Sequence, residues 1–299
     1  MANLKEVRNR ISSVKTTQQI TKAMKLVSAS KLKRAQDRIV QMRPYSKKLN
    51  SILSNLMESL EGEDISLALN KVREPKKVLI VLITSDKGLC GGFNSNLIKA
   101  TRNLLAKTYA TQLAAGNVTL IPIGKKGFDY FKKVEKLNVN TAYQGLLNTL
   151  NFTASQEVST TITKAFLDGE YDVIELVYAQ FVNAATQNFE VERFLPVSSL
   201  GAGKGASKSK KKNDYLFEPD KHTLLEELAP KILNTQFFRA LLGTNASEHG
   251  SRMVAMDAAT NNAQEMIRNL SIQYNRERQA AITKEILEIV GGAAALENG

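Results

Sequence analysis

A chain of 299 residues is long enough for one or two domains with a buried core, but aromatics make up only 6% of it and Trp is absent, a balance that suits helix-rich packing of small and aliphatic side chains better than an all-β core. One cysteine and two histidines exclude an internal disulfide framework and a Cys/His zinc site. No apolar run approaches the roughly 18 residues of a membrane span, and the N-terminus lacks the hydrophobic core of a secretory signal. The net charge of +12 is concentrated: residues 1–50 hold 13 Lys and Arg against only Glu6 and Asp37, a basic face that suits an acidic protein surface, nucleic acid or an anionic membrane without choosing among them.

Residues 1–43 contain neither Gly nor Pro, and Leu4, Val7, Ile11 and Val14, then Leu32, Ala35, Ile39 and Met42, recur three and four apart, which predicts a long helix. Between these runs the same register puts Gln18, Thr21, Lys25 and Ser28 on the seam, while Ile20, Met24 and Val27 form an offset apolar strip. The helix is therefore expected to change its buried face there. Pro44 either starts a new turn or imposes a kink, and Leu49, Ile52, Leu53, Leu56 and Leu60 continue the pattern to Gly62.

The middle, 75–197, has a different rhythm. The apolar run Val78–Thr84 reads as a buried strand, followed by a helix over Ser95–Ala115, a strand at Val118–Ile123, helices at Lys126–Lys136 and Ser155–Leu167, and strands at Val173–Phe181 and Phe189–Pro196. Strands alternating with helices predict a Rossmann-like α/β sheet, with room for an antiparallel last strand. Residues 198–220, including the Gly, Ser and Lys rich 201–213, read as a mobile loop and linker. From 221 to 299 a second very long helix is expected, since 251–290 lacks Gly and Pro and spans about 60 Å at 1.5 Å per residue. Its stripe of Met253, Met256, Ala263, Ile267 and Leu270 shifts phase to Ile282, Ile286, Ile289, Ala293 and Leu296, like a stutter between Tyr274 and Ile282. The predicted fold class is α/β with long helices: the N-terminal helix (1–62) and the C-terminal helix (221–299) pair as an antiparallel coiled coil, the longer one protruding, around a Rossmann-like domain (75–197).

An enzymatic site in the sheet has one obvious place, the turn Ser85–Asn94 after the first strand, because glycines there can present free N–H groups to phosphate. The spacing matches neither GxxxxGK[ST] nor GxGxxG, so tight packing or a partner contact explains the glycines better. Cys90 has no recognisable histidine partner in His222 or His249 and reads as a buried thiol. No catalytic, cofactor-binding or metal-binding residues are assigned. Two readings are carried forward from the residues alone: a basic coiled-coil protein that binds nucleic acid or anionic membrane, and an α/β enzyme with helical oligomerisation arms.

Four separated segments resemble one family over nearly the whole chain. Arg10–Val14 with Thr17 and Ile20–Lys31, the loop Ser85–Asn94 (SDKGLCGGFN), Tyr215–Asp220 followed by Ser247–His249, Arg252–Met256 and Ala259, and finally Tyr274–Asn275 with Arg278–Ile286 and Ile289–Ala293, are similar to the gamma subunit of rotary F-type ATP synthases. The Lys-rich 204–212 and the diffuse 136–155 region depart from the pattern.

The resemblance implies a non-catalytic rotor shaft that couples transmembrane proton flow to ATP synthesis by turning within a hexamer of three alpha and three beta subunits, with catalysis in the beta subunits. Its implied partners are those subunits, an epsilon-type subunit and the membrane c-ring, with no nucleic acid and no cofactor. Residue by residue it implies that Arg278, Gln279 and Thr283 contact a beta-subunit loop, and that Met24, with Lys22, Lys25 and Lys31 nearby, faces an acidic lever segment of beta. Ile286, Ile289, Val290, Ala293 and Leu296 are implied as an apolar bearing tip, and Phe217 and Glu218 as neighbours of the rotor ring. A plain coiled-coil seam is the close alternative for Ile286 and Ile289. The absence of an Arg and Ser rich presequence and of a thiol-pair insert favours a bacterial protein, peripheral on the cytoplasmic side of the inner membrane.

Overall fold

The computed structural model describes residues 4–59, 68–147, 150–197 and 220–297. Two helices dominate the secondary structure, α1 (Leu4–Ser59) and α6 (Lys221–Glu297). The chain packs into two compact units, and each long helix contributes to both: residues 1–28 and 253–299 form one, residues 29–252 the other.

In the first unit the two helices run antiparallel, with Gln18 opposite Gln264, Thr21 opposite Thr260 and Lys25 opposite Asp257. The side chains of α1 that face its partner keep strict three-and-four spacing through the whole unit: Leu4, Val7, Ile11, Val14, Gln18, Thr21, Lys25 and Ser28. The expected change of buried face does not occur. Thr21 and Ser28 are buried on the seam, whereas Ile20 and Val27 stand 54% and 57% exposed. Hydrogen bonds make this tolerable: the two amides meet at 2.6 Å, the two hydroxyls at 2.8 Å, and the Lys25 ammonium donates to the Asp257 carboxylate at 2.6 Å. On the α6 side the covered stripe is Met253, Met256, Thr260, Ala263, Ile267, Leu270, Tyr274 and Glu277, again at heptad spacing.

In the second unit five strands form one sheet in the order β3-β2-β1-β4-β5, where β1 is Val78–Ile83, β2 Val118–Ile123, β3 Leu137–Val139, β4 Val173–Phe181 and β5 Gln187–Leu195. β1 to β4 are parallel and β5 is antiparallel to β4. All six side chains of β1 are buried, as a central parallel strand covered on both faces requires. One face packs against α2 (Phe93–Lys107) and α4 (Lys125–Phe131) through Phe93, Leu97, Leu105 and Phe131. The other is covered by α5 (Phe152–Leu167) and by α6 itself, through Leu233, Phe237 and Leu241, with Ile39 and Met42 of α1 at its margin. Each fully buried Leu, Ile or Phe contributes roughly 1.5–3 kcal/mol.

Three expectations need correction. The helix over Ser95–Ala115 is two helices, α2 and α3 (Ala110–Ala114), because Tyr109 leaves helical geometry to bury its ring and donate its hydroxyl to Glu175 at 2.7 Å. The helix over Lys126–Lys136 stops at Phe131 and is followed by β3, a strand too short to show periodicity. Pro44 does not start a new helix: α1 continues through it. The Lys-rich 204–212 lies outside the described residues.

α6 approaches the sheet closely enough to require glycine. A Cβ on Gly243 would lie 3.2 Å from the Ala179 carbonyl oxygen, and one on Gly250 3.2 Å from the backbone of Ala184. At this place β4 extends past β1, and α6 side chains take over its edge: the Ala179 N–H donates to Thr244 Oγ1 and Ser247 Oγ donates to the Ala179 carbonyl. Gly243→Val should therefore lower the stability of the isolated chain by about 1–3 kcal/mol, as overpacked sites do. Chemical denaturation followed by circular dichroism would show it; an unmoved midpoint would mean the helix has slack there.

Candidate functional site

In open α/β sheets the ligand crevice lies beyond the carboxyl ends of the strands, where the strand order reverses. Here that point is between β1 and β4, and the loop Ser85–Asn94 forms its floor. The loop's polar groups are turned inward on themselves. The Ser85 N–H donates to Asn94 Oδ1 at 3.1 Å, Asn94 Nδ2 donates to Ser85 Oγ at 2.7 Å and to Cys90 Sγ at 3.2 Å, and the Lys125 N–H donates to Asp86 Oδ1. Leu89 and Gly91 take positive φ values of 61° and 58°, so the turn is held by these bonds against an unfavourable backbone at Leu89.

The crevice is filled by the chain's own α6. Arg252 donates from its guanidinium to the carbonyl oxygens of Lys87 (3.0 Å) and Gly88 (3.3 Å) and pairs with Glu248 one turn earlier at 2.7 Å. Both partners are buried, Arg252 at 7% and Glu248 at 7% exposure. The loop thus offers carbonyl oxygens to an internal cation where a phosphate cradle would offer N–H groups to an anion. Burial raises the Glu248 carboxyl above its ordinary range, against the pull of the guanidinium. It also raises the Cys90 thiol, which is 2% exposed and held by Ser85 and Asn94, so the thiolate needed for nucleophilic chemistry is disfavoured. His249, half-buried with Nδ1 3.4 Å from Arg252, is pushed down to about 4 by burial, with Arg252 and Lys31 adding repulsion.

The signal for this clamp was present as Glu248 and Arg252, four apart in a helix with Gly250 between them and Gly243 before them. A charge pair on that face, beside glycines that admit another backbone, marks a helix lying against a loop.

The residues named for partner contact lie on helix surfaces. Lys22 is exposed and Met24 half-buried. Lys25 faces inward and is engaged by Asp257. Arg278, Gln279 and Thr283 are exposed, and among the described residues Arg278 makes no ion pair. The register of the helix pair puts Leu4, the first described residue of α1, level with about Arg278, and every α6 side chain from Arg278 to Ala293 is exposed. Ile286, Ile289 and Val290 are 55%, 67% and 59% exposed, and Ala293 is exposed too, so among the described residues no partner helix covers them. The Leu296 side chain, and Phe217 and Glu218 entirely, lie outside the described residues.

A sheet whose ligand crevice is occupied by its own helix, combined with paired helices carrying an uncovered apolar end, defines a subunit that works through its helical surfaces. Comparison with known proteins gives the same class. A sequence profile of the ATP synthase family matches residues 3–296. The ATP synthase gamma chain of Cytophaga hutchinsonii is 52% identical over 299 residues, covering all of both chains. That of Flavobacterium johnsoniae is 50% identical over 297 residues, covering 99% of each. A chain in the Euglena gracilis mitochondrial ATP synthase assembly of OSCP, F1 and c-ring has the same fold, with a TM-score of 0.65 at 21% identity over 99% of this chain and 95% of that one.

The chain belongs to the gamma-chain family of ATP synthase. It is a non-catalytic subunit of the central stalk, and the ATP chemistry resides in the beta subunits. The two gamma chains named above are bacterial, and no helix among the described residues is long and apolar enough to cross a membrane.

Two outcomes follow from the clamp. Arg252→Leu leaves a buried carboxylate and two carbonyls without their donor, and should destabilise the chain by about 3–5 kcal/mol, with Glu248→Leu in the same chain recovering much of it. An additive double variant would remove the pair from the account. Because folded His249 titrates near 4 and an unfolded histidine near 6.5, the unfolded state takes up a proton first as pH falls. His249 therefore withdraws stability progressively from about pH 6.5 to about pH 4. Thermal midpoints across that range should fall less in His249→Gln than in the parent; parallel curves would contradict the assignment.

Proposed function

We propose that this chain is the turning shaft of a bacterial ATP synthase. Its paired helices sit inside a hexamer of three alpha and three beta subunits, and its sheet-bearing unit meets the epsilon-type subunit and the membrane c-ring on the cytoplasmic side of the inner membrane. Proton flow through the ring turns the shaft, and the shaft's asymmetry sets which catalytic site is open.

The observation that carries this reading is the uncovered stretch of α6 from Arg278 to Ala293. Five large aliphatics, Ile282, Ile286, Leu287, Ile289 and Val290, are each between 47% and 67% exposed there. Apolar surface of that extent on a monomer marks an interaction site. A hexamer enclosing the helix would remove it from water and use Ile286, Ile289, Val290, Ala293 and Leu296 as a bearing.

One turn below, Arg278 offers a forked guanidinium to a carboxylate of a beta-subunit loop, with Gln279 and Thr283 on the adjoining face, four residues apart. On α1, Met24 and the exposed Lys22 face the acidic lever of beta. Lys25 acts differently: its charge is held on the seam by Asp257, so it orders the helix pair beneath the contact. Phe217 and Glu218 remain the proposed neighbours of the rotor ring.

The mechanical demand is a matter of population shift. Driving a catalytic site from 1:99 to 99:1 between two conformations needs about 5.5 kcal/mol of differential contact. Several side chains share that load, each through contacts that differ between beta conformations.

Replacing Arg278 and Gln279 by alanine removes charge-assisted bonds of about 1.5–3 kcal/mol, and should lower ATPase turnover or assembly of the complex by about tenfold or more. Helicity of the isolated variant should match the parent. Normal turnover in a normally assembled complex would strike these residues from the contact.

A further inference from the structure

Charge is sorted, not mixed, over the sheet-bearing unit. Residues 84–136 hold nine Lys and Arg, every one exposed, against three acids, Asp86, Asp129 and Glu135. Residues 137–197 reverse the balance, with seven Asp and Glu against Lys164 and Arg193. The sheet order turns this division of the sequence into a division of space. The basic stretch supplies β2 with α2 and α4 and leads into the edge strand β3, whereas the acidic stretch supplies α5, β4 and the opposite edge strand β5. Two of the three acids on the basic side are already engaged: Asp86 accepts from the Lys125 N–H, and Asp129 pairs with Lys132 at 3.5 Å.

Four of the cations lie at one end of that edge. The segments carrying α2 and α4 each return the chain from the carboxyl end of one parallel strand to the amino end of the next. Lys107, in the last turn of α2, and Lys132, Lys133 and Lys136, after α4, therefore stand toward the amino ends of the neighbouring strands β2 and β3, where Asn138 Nδ2 donates to the Gly116 carbonyl at 3.2 Å. The Lys132 ammonium lies 5.2 Å from the centroid of the Phe128 ring, and Tyr130, 39% exposed, packs edge-on against Phe131. Among the described residues Lys107, Lys133 and Lys136 make no ion pair. Uncompensated ammonium groups on long apolar stems, beside an exposed aromatic ring, suit the boundary of a bilayer, where the charge meets phosphate and the stem and ring meet the apolar side of the headgroups.

We propose that this basic edge of the sheet-bearing unit rests on the anionic headgroups of the membrane, with Lys107, Lys133 and Lys136 as the cations that reach phosphate. The inference rests on the shaft reading above, which brings the unit beside the membrane ring. It adds that the unit touches lipid as well as protein, and that the acidic edge across the sheet, repelled by the same headgroups, faces away from them. Headgroups are mobile, so a contact of this kind holds the unit by charge without fixing its angle.

The test uses the complex of this chain with its alpha, beta and epsilon-type subunits, released from the membrane, and vesicles of phosphatidylglycerol mixed into phosphatidylcholine. The parent complex should float with these vesicles at low salt, stay in solution with phosphatidylcholine alone, and come off as salt rises. Neutralising three cations together, Lys107→Gln, Lys133→Gln and Lys136→Gln, should weaken binding about hundredfold, whereas Lys164→Gln on the acidic side should leave it unchanged. ATP hydrolysis by the released complex should be the same in all of them, which also shows that the variants are folded and assembled. A parent complex indifferent to phosphatidylglycerol, or a triple variant that floats as the parent does, would overturn the proposal. Tighter binding of the parent to duplex DNA than to the vesicles at equal salt, lost in the triple variant, would assign the edge to nucleic acid and overturn it too. Failure of this chain to assemble with alpha and beta subunits would sink the shaft reading and the proposal with it; an assembled complex that ignores the vesicles sinks the proposal alone.

Discussion

The constraint behind this structure is that α6 is one unbroken helix of 77 residues that must satisfy different surroundings along its length. Over Leu225–Leu242 it is a core helix, with Leu225, Leu233, Phe237 and Leu241 each at most 1% exposed. From Met253 to Glu277 it shows only a narrow heptad stripe, and from Arg278 to Ala293 it buries nothing. A helix with a broad apolar face packs on a core, one with a narrow stripe belongs beside a partner, and one with exposed aliphatics awaits another chain. Reading the sequence of α6 is therefore reading three environments in succession.

The clamp at the strand ends explains why a Rossmann-like sheet is used here without Rossmann chemistry. Fold alone does not dictate function. The crevice that holds a ligand in other doubly wound sheets holds Arg252, the Glu248 carboxylate balances its charge, and the loop carbonyls of Lys87 and Gly88 complete its hydrogen bonds. The buried pair is costly to desolvate and contributes chiefly by fixing where α6 meets the loop. Glycines at 243 and 250, with Thr244 and Ser247 between them, extend the same contact along β4.

Much of this was legible in the residues. β1 announces itself as a continuous apolar run and β2 and β4 as largely apolar ones, and the long helices are announced by the Gly-free and Pro-free stretches 1–43 and 251–290 with heptad spacing. β3 was hidden because Leu137–Val139 is too short to carry a pattern, and the break at Tyr109 because a tertiary hydrogen bond to Glu175 overrides helix propensity. The seam was misread for an instructive reason. Ile20 and Val27 look like the natural core and Gln18, Thr21 and Lys25 like surface, yet pairing across the helices satisfies the polar set and leaves the aliphatics outside. Periodicity was the better guide than hydrophobicity at that point. Partner-contact residues could be named only through the family resemblance, since a lone exposed arginine such as Arg278 has no signature of its own.

A subunit that makes no bonds can govern catalysis only by moving relative to the subunits that do. The most direct measurement is therefore single-molecule rotation: the alpha and beta hexamer is fixed to a surface, a probe is attached to the sheet-bearing unit of this chain, and ATP is supplied. A turning shaft should rotate in one direction, pausing at three angles per revolution because three beta subunits fire in turn. Steady ATP hydrolysis with the probe stationary would contradict it.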